Sequence, residues 1–198
     1  MTLRPRAYLS VLLLALPLTL IAGGRFDTAI RQTGADRFKA LARESLSGIT
    51  GDLVLPGLTA TVEVIRDTWG VPHIYAQNTG DLFMAQGYVM AQDRLWQMEM
   101  WRRDREGRLA QILGPQAVAR DRTARLLKYR GPMDDREWTS YHPDGKRIFT
   151  AFSAGVNAYI ASHATALPVE FTVTGITPDP WTAETCVLRT ATLGDTSA

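Results

Sequence analysis

The chain has 198 residues, the size of one modest domain. Its formal net charge is +2, and without Arg4 and Arg6, which precede an apolar amino-terminal run, it is 2 − 2 = 0, so no bulk electrostatic field points to a nucleic-acid partner. The single cysteine, Cys186, excludes an internal disulfide and leaves the fold to its core, a metal or a partner.

Residues 1–22 combine a basic start, an almost unbroken Leu/Ala/Val/Ile run from Ala7 to Ala22 and small residues at Gly23-Gly24, which reads as an export signal or a retained membrane anchor. Residues 23–35 lack a period and read as a linker. Phe38, Leu41, Ala42 and Leu46 predict a short helix over 36–46, and Gly51 to Leu58 a short edge strand closed by Pro56-Gly57. The β-branched run from Thr61, the Asp67-Thr68-Trp69-Gly70 turn and the return from Val71 to Ala76 predict a hairpin over 61–76, with Pro72 at the start of its second strand.

Asn78 or Thr79 caps a long helix expected from about 80 to 105, with Asp81 in its first turn and a shorter piece through Leu109, Ile112 and Leu113 before Gly114-Pro115. This helix is too apolar to lie free in water and too polar for one buried stripe. It should therefore be enclosed on more than one side with its polar residues paired. A further short helix is expected over 121–129. A cleaner one starts at Asp144, with Ile148, Phe152, Val156, Tyr159 and Ile160 in one stripe and Gly155 at a close approach. Leu167-Pro168 breaks it, Glu170 to Val173 is β-prone, Pro178 to Trp181 turns, and residues 191–198 carry no strong pattern. The fold class is α+β.

Among chemically capable residues, His73 with Arg66 and Asp67 invites a catalytic role, but no serine or cysteine partner is locally implied, and the hairpin position favours hydrogen bonding. His142 and His163 fall at an interhelix turn and a helix end without zinc-site spacing. Cys186, beside Val187 and Leu188, suits a small buried hydrophobe better than a nucleophile. Glu99 stands three and four residues before Arg102 and Arg103, the spacing of helical ion pairs. Beside Trp96, Met98, Met100 and Trp101, that set, with Gln92, Asp93, Arg94 and Gln97, reads as buried pairing rather than a solvated face. No phosphate loop is present, and Arg102, Arg103, Arg105 and Arg108 interleave with Asp104 and Glu106, against a nucleic-acid site.

The block Arg66 to Ala76 and the block Ala91 to Met100 with Arg102-Arg103 resemble the start of the penicillin acylase family of amino-terminal-nucleophile hydrolases. That family also holds cephalosporin acylases and acyl-homoserine-lactone acylases. Gly107 to Ala110, Gly155 to Ile160, Leu167 to Phe171 and Pro178 to Thr182 extend the likeness over about 36 to 190. The resemblance implies the amino-terminal part of a layered αββα fold, mostly helical, with 36–198 an alpha-chain-like region that is expected to be incomplete.

It implies an exported precursor that cuts itself into a smaller alpha chain and a larger beta chain. The new first serine of the beta chain supplies both the hydroxyl nucleophile and the α-amine base; such an amine, with a pKa of about 8, is partly free at neutral pH. Signal cleavage near Ala22, Gly23 or Gly24 exposes no nucleophile, so the resemblance places catalysis on a beta chain beyond Ala198 and makes this chain inactive alone. No catalytic, cofactor-binding or metal residue is carried over, and calcium is implied only for the complete enzyme. The implied substrates are amides of penicillin, cephalosporin or N-acyl-homoserine lactone type. The expected place is the periplasm, or the outer side of the inner membrane if the leader is retained. The alternative function is a non-catalytic extracytoplasmic binding protein on an acylase-like half-fold, and a third is independent activity through Cys186 or His73.

Overall fold

The computed structural model describes residues 34–188, in two compact units divided between Leu46 and Ser47. The expected export segment 1–22, most of the linker 23–35 and the closing 191–198 lie outside the described residues. In the first unit one helix, α1, occupies 34–44. It stops at Ser45, whose N–H returns to Leu41 and whose hydroxyl donates to the Ala42 carbonyl.

The second unit opens with an extended segment rather than the expected edge strand: 51–58 has no ladder partner, and only the turn at Pro56-Gly57 forms. The hairpin is present, with β1 (Glu63–Arg66) antiparallel to β2 (Pro72–Tyr75) and Ile65 opposite His73. Asp67 builds its turn by accepting the N–H groups of Trp69 and Val71, each at 2.9 Å, while Gly70 takes a φ of 78° that disfavours a side chain. Pro72, which has no N–H to give, starts β2 as expected.

The long helix, α2 (Thr79–Glu106), starts at Asn78, whose side chain accepts the Asp81 N–H, and ends at Gly107 in the left-handed conformation. One feature was not foreseen. Arg94, at φ −153° and ψ 34°, breaks α2 into two halves. Then follow α3 (Ala110–Leu113), a 3-10 turn (Pro115–Ala117), α4 (Val118–Leu127), α5 (Asp135–Tyr141), α6 (Gly145–Ser162), α7 (Val169–Thr174) and α8 (Ala183–Cys186). The β-prone stretch at Glu170 to Val173 is therefore helical. Phe171 decides it, by burying its ring edge-on against Trp96 at 5.0 Å, a contact that outweighs the weak helix propensity of Val and Thr. The short helices α5 and α8 lack an apolar stripe and stand on their caps: Asp134 accepts the Glu137 N–H, and Thr182 and Thr185 cap reciprocally.

The core forms where α2 lies on α6. Tyr88, Ala91, Leu95 and Met98 pack against Val156 and Tyr159 of α6 and Phe171 of α7, and the Tyr88 and Tyr159 rings meet edge-on at 5.5 Å. The hairpin and α4 also border α2, which gives it the enclosure its composition requires, although Trp101 remains exposed.

Two glycines permit the crossing of α2 and α6. A Cβ on Gly155 would lie 1.9 Å from the Met84 carbonyl oxygen, and one on Gly87 2.0 Å from that of Phe152. Both obstacles are backbone, so a methyl group must push the helices apart. Gly155→Ala is therefore expected to cost about 3 kcal/mol, the upper end of overpacking penalties. Urea unfolding of this variant checks it, with the exposed Gly34→Ala as the neutral control.

Candidate functional site

Glu99 is the most enclosed charge among the described residues, with no solvent exposure. Its carboxylate accepts Arg102 Nη2 at 2.7 and 2.6 Å, Arg102 Nε at 3.1 Å and Arg103 Nε at 2.6 Å. Both arginines are themselves nearly buried, and each has a second partner. Arg102 reaches Asp179 at 3.0 Å, and Arg103 donates to Gln111. Arg108 joins through Asp179 and Glu106, each at 2.8 Å. Three arginines thus meet three carboxylates, and a cluster without net charge ties the second half of α2 to α3 and to the 175–182 loop. The buried pairing expected for Glu99, Arg102 and Arg103 is present; the contribution of Asp179 was not legible, since it comes from a turn 77 residues beyond Arg102.

The second polar joint sits at the break in α2. Arg66, the last residue of β1, donates to both oxygens of Asp93 at 2.7 and 3.0 Å, to Gln92 Oε1 at 2.9 Å and to the Gly70 carbonyl at 3.0 Å. Gln92 extends the joint by donating to the Gly48 carbonyl at 2.8 Å. No proline or glycine stands at Arg94; the contact that coincides with the break is this guanidinium, which holds the preceding turn of the helix to the hairpin. Arg94 and Gln97 are exposed.

Two aspartates act as fasteners that sequence reasoning missed. Asp81, read from sequence as a first-turn charge, accepts the Thr59 and Ala60 N–H groups, the Thr59 hydroxyl and the Asn78 amide, so it pins the 59–60 loop to the start of α2. Asp121 of α4 accepts the N–H groups of Leu109 and Ala110 at 2.9 and 2.8 Å, satisfying donors at the start of α3. Their partners are backbone groups of distant segments, and such partners leave no signature in the sequence.

None of these arrangements assembles a nucleophile, a base and an orienting group. His73 Nε2 lies 3.3 Å from Asp67 Oδ2 and has no hydroxyl or thiol partner among the described residues, in keeping with the hairpin role. Ser162 Oγ lies 2.9 Å from His163 Nδ1, but both are also within hydrogen-bond distance of the Tyr159 carbonyl, and together they close the end of α6. His142 Nδ1 accepts the Asp144 N–H between α5 and α6. Cys186 lies 3.4 Å from Ser153 Oγ, and burial pushes its thiol pKa up, which keeps it protonated at neutral pH. Among the described residues no group of three or more His, Cys, Asp or Glu is spaced to hold a metal ion, and Glu99, Asp81 and Asp121 are committed to donors.

An apolar cleft of about 390 Å³ lies inside the bend of α2. Phe83 and Met90 line it from the first half, Met98 and Trp101 from the second, and Phe149 and Phe152 from α6. The Trp181 indole N–H at its wall is buried and finds no acceptor among the described residues.

Residues 61–198 match the family described as penicillin amidase. The match runs to Ala198, so the closing segment belongs to the region of likeness, beyond the motif blocks that reach about 190. Penicillin acylase 2 proenzyme of Pseudomonas sp. (strain SE83) is 42% identical over 137 residues, 69% of this chain and 17% of that protein. Penicillin G acylase of Escherichia coli is 37% identical over 62% of this chain and 15% of its own length. Acyl-homoserine lactone acylase QuiP of Pseudomonas aeruginosa is 33% identical over 76% of this chain and 18% of its own. The chain thus spans about a sixth of the length of these curated relatives. A solved chain of thermostable penicillin G acylase from Alcaligenes faecalis superposes with a TM-score of 0.56 at 34% identity, over 65% of this chain and 69% of that one.

Removing Glu99 leaves two buried cations without their shared anion. Glu99→Ala is expected to cost about 3 to 5 kcal/mol in urea unfolding, whereas Asp179→Asn, at a half-exposed partner, costs under about 1 kcal/mol.

Three aspartates titrate below the ordinary range. The Val71 N–H leads for Asp67, the Thr59 N–H for Asp81 and the Arg108 guanidinium for Asp179. A lowered folded-state value means that the unfolded chain takes up protons first. The contribution of these groups is complete above the ordinary aspartate value and is lost as pH falls through their folded values. The urea midpoint is therefore expected to fall below about pH 4. Asp81→Asn should flatten that limb, and an identical acid limb in the variant would contradict the assignment.

Proposed function

The chain belongs to the penicillin amidase family, and on that premise we propose that it is the alpha-chain region of an exported acylase. The enzyme hydrolyses the amide bond of penicillin, cephalosporin or N-acyl-homoserine lactone type substrates. Its place is the periplasm, or the outer face of the inner membrane where the leader is retained. In this reading the chain is scaffold, and the nucleophile stands at the start of a beta chain. The beta-chain serine hydroxyl adds to the amide carbonyl while its own α-amine takes the hydroxyl proton. That proton passes to the departing amine, and water then cleaves the acyl ester.

The observation that carries this reading is the Arg66–Asp93 joint. It links the two motif blocks, 66–76 and 91–103, and there both serve to set a hairpin against a helix. The hairpin also supports a partner. It is two-stranded, with both outer edges unpaired among the described residues, and Ile65, Val71, Tyr75 and Trp69, the last 89% exposed, present apolar surface. Such a ribbon is marginal in water and gains stability from further strands.

The apolar cleft favours a second reading, a non-catalytic extracytoplasmic binding protein on the same half-fold.

Joint expression with the beta chain of a penicillin acylase separates the two readings. The scaffold reading expects the chains to co-purify and to hydrolyse a panel of penicillin, cephalosporin and acyl-homoserine lactone, with no turnover by this chain alone and none lost on His73→Ala or Cys186→Ser in the complex. A monomer that unfolds cooperatively and ignores every beta chain would favour the binding protein. Turnover by the isolated chain would overturn both.

A further inference from the structure

The segment around α4 carries more cations than acids, and the carboxylate that borders its end is Glu137, which accepts the Tyr129 hydroxyl at 3.3 Å. Residues 118–130 carry Arg120, Arg122, Arg125, Lys128 and Arg130 against a single acid, Asp121. Asp121 points inward, both oxygens occupied by the N–H groups of Leu109 and Ala110. Arg120 is neutralised by Asp104 at 2.6 and 2.9 Å. Arg125 and Arg130 donate to the backbone carbonyls of Gly107 and Arg125, each at 2.8 Å, contacts that locate a guanidinium without cancelling its charge. Arg122 and Lys128 are exposed, and among the described residues no carboxylate pairs with either.

The helix geometry puts an apolar side chain in the middle of these charges. α4 buries Asp121 and Ala124, so the row Val118, Arg122, Leu126, at successive i+4 positions, faces outward. Leu126 is 75% exposed and Val118 47%. A purely solvated face gains nothing from a leucine at its crest. An interfacial face does, because cations engage headgroup phosphates while the apolar tip enters the boundary below them.

We propose that this face seats the chain on an anionic phospholipid surface. Arg122, Arg125, Lys128 and Arg130 bind headgroup phosphates, and Leu126 reaches the acyl boundary. The charge complementarity is specific in kind. Guanidinium groups with unfilled donors match phosphate oxygens two at a time, and competition by polyglutamate distinguishes headgroup phosphate from an acidic polypeptide. The inference stands on the geometry of α4 and is independent of the acylase reading.

The test is vesicle partition of the full chain, comparing phosphatidylcholine with phosphatidylcholine that contains about one third phosphatidylglycerol. The apolar run at 7–22 partitions into both, so the readout is the excess on the anionic vesicles. That excess is expected to be at least about a hundredfold, to vanish at high salt, and to fall roughly thirtyfold in the Arg122→Gln, Lys128→Gln double variant. Leu126→Ser is expected to weaken binding without changing its salt slope. Both variants alter exposed residues, and matched far-UV dichroism confirms their fold. Equal partition onto the two vesicles, an excess that survives the double variant, or equally effective competition by inorganic phosphate or polyglutamate at matched charge would each overturn the proposal.

Discussion

The need to pair the buried carboxylate of Glu99 governs the second half of α2. A carboxylate removed from solvent is tolerable only with donors on every lone pair, and Arg102 and Arg103 supply them. Their positive charges then need partners in turn, which draws in Asp179, Gln111, Glu106 and Arg108. One buried acid thereby helps to fix the course of the chain through α3 and the 175–182 loop.

Much of this architecture is legible in the sequence. The β-branched run with Asp67 and Gly70 specifies the hairpin, Asn78 and Gly107 bound α2, and the single stripe of α6 marks its buried face. Glu99, Arg102 and Arg103 declare their pairing by spacing and by the large apolar residues around them. The break at Arg94 is not legible, because the residues on either side keep the same helical period and the contact that accompanies it comes from Arg66, 27 residues before Asp93. α7 misleads for the opposite reason: Val and Thr point to a strand, and only the tertiary contact of Phe171 with Trp96 makes a helix. Asp81, Asp121 and Asp179 hold segments far from them in sequence, and nothing local announces an aspartate's distant donors.

The polar groups that a functional reading would first examine are already engaged in structure. His73 braces a turn, His163 and Ser162 close a helix, and Cys186 keeps its proton. The chain's own side chains thus have geometric duties, which is why the proposed acylase role is that of a wall and brace rather than a source of reactive groups.

The bend at Arg94 separates two firmly held stretches. Upstream, Gly87 and Gly155 bring the backbones of α2 and α6 so close that neither helix can slide past the other without a collision of main-chain atoms. Downstream, the arginine–carboxylate lattice locks the remaining turns. An elbow clamped on both arms cannot flex freely. Displacing one arm must move the other as a lever, so a push on the hairpin through Arg66 is transmitted along the helix instead of being absorbed at its weakest joint.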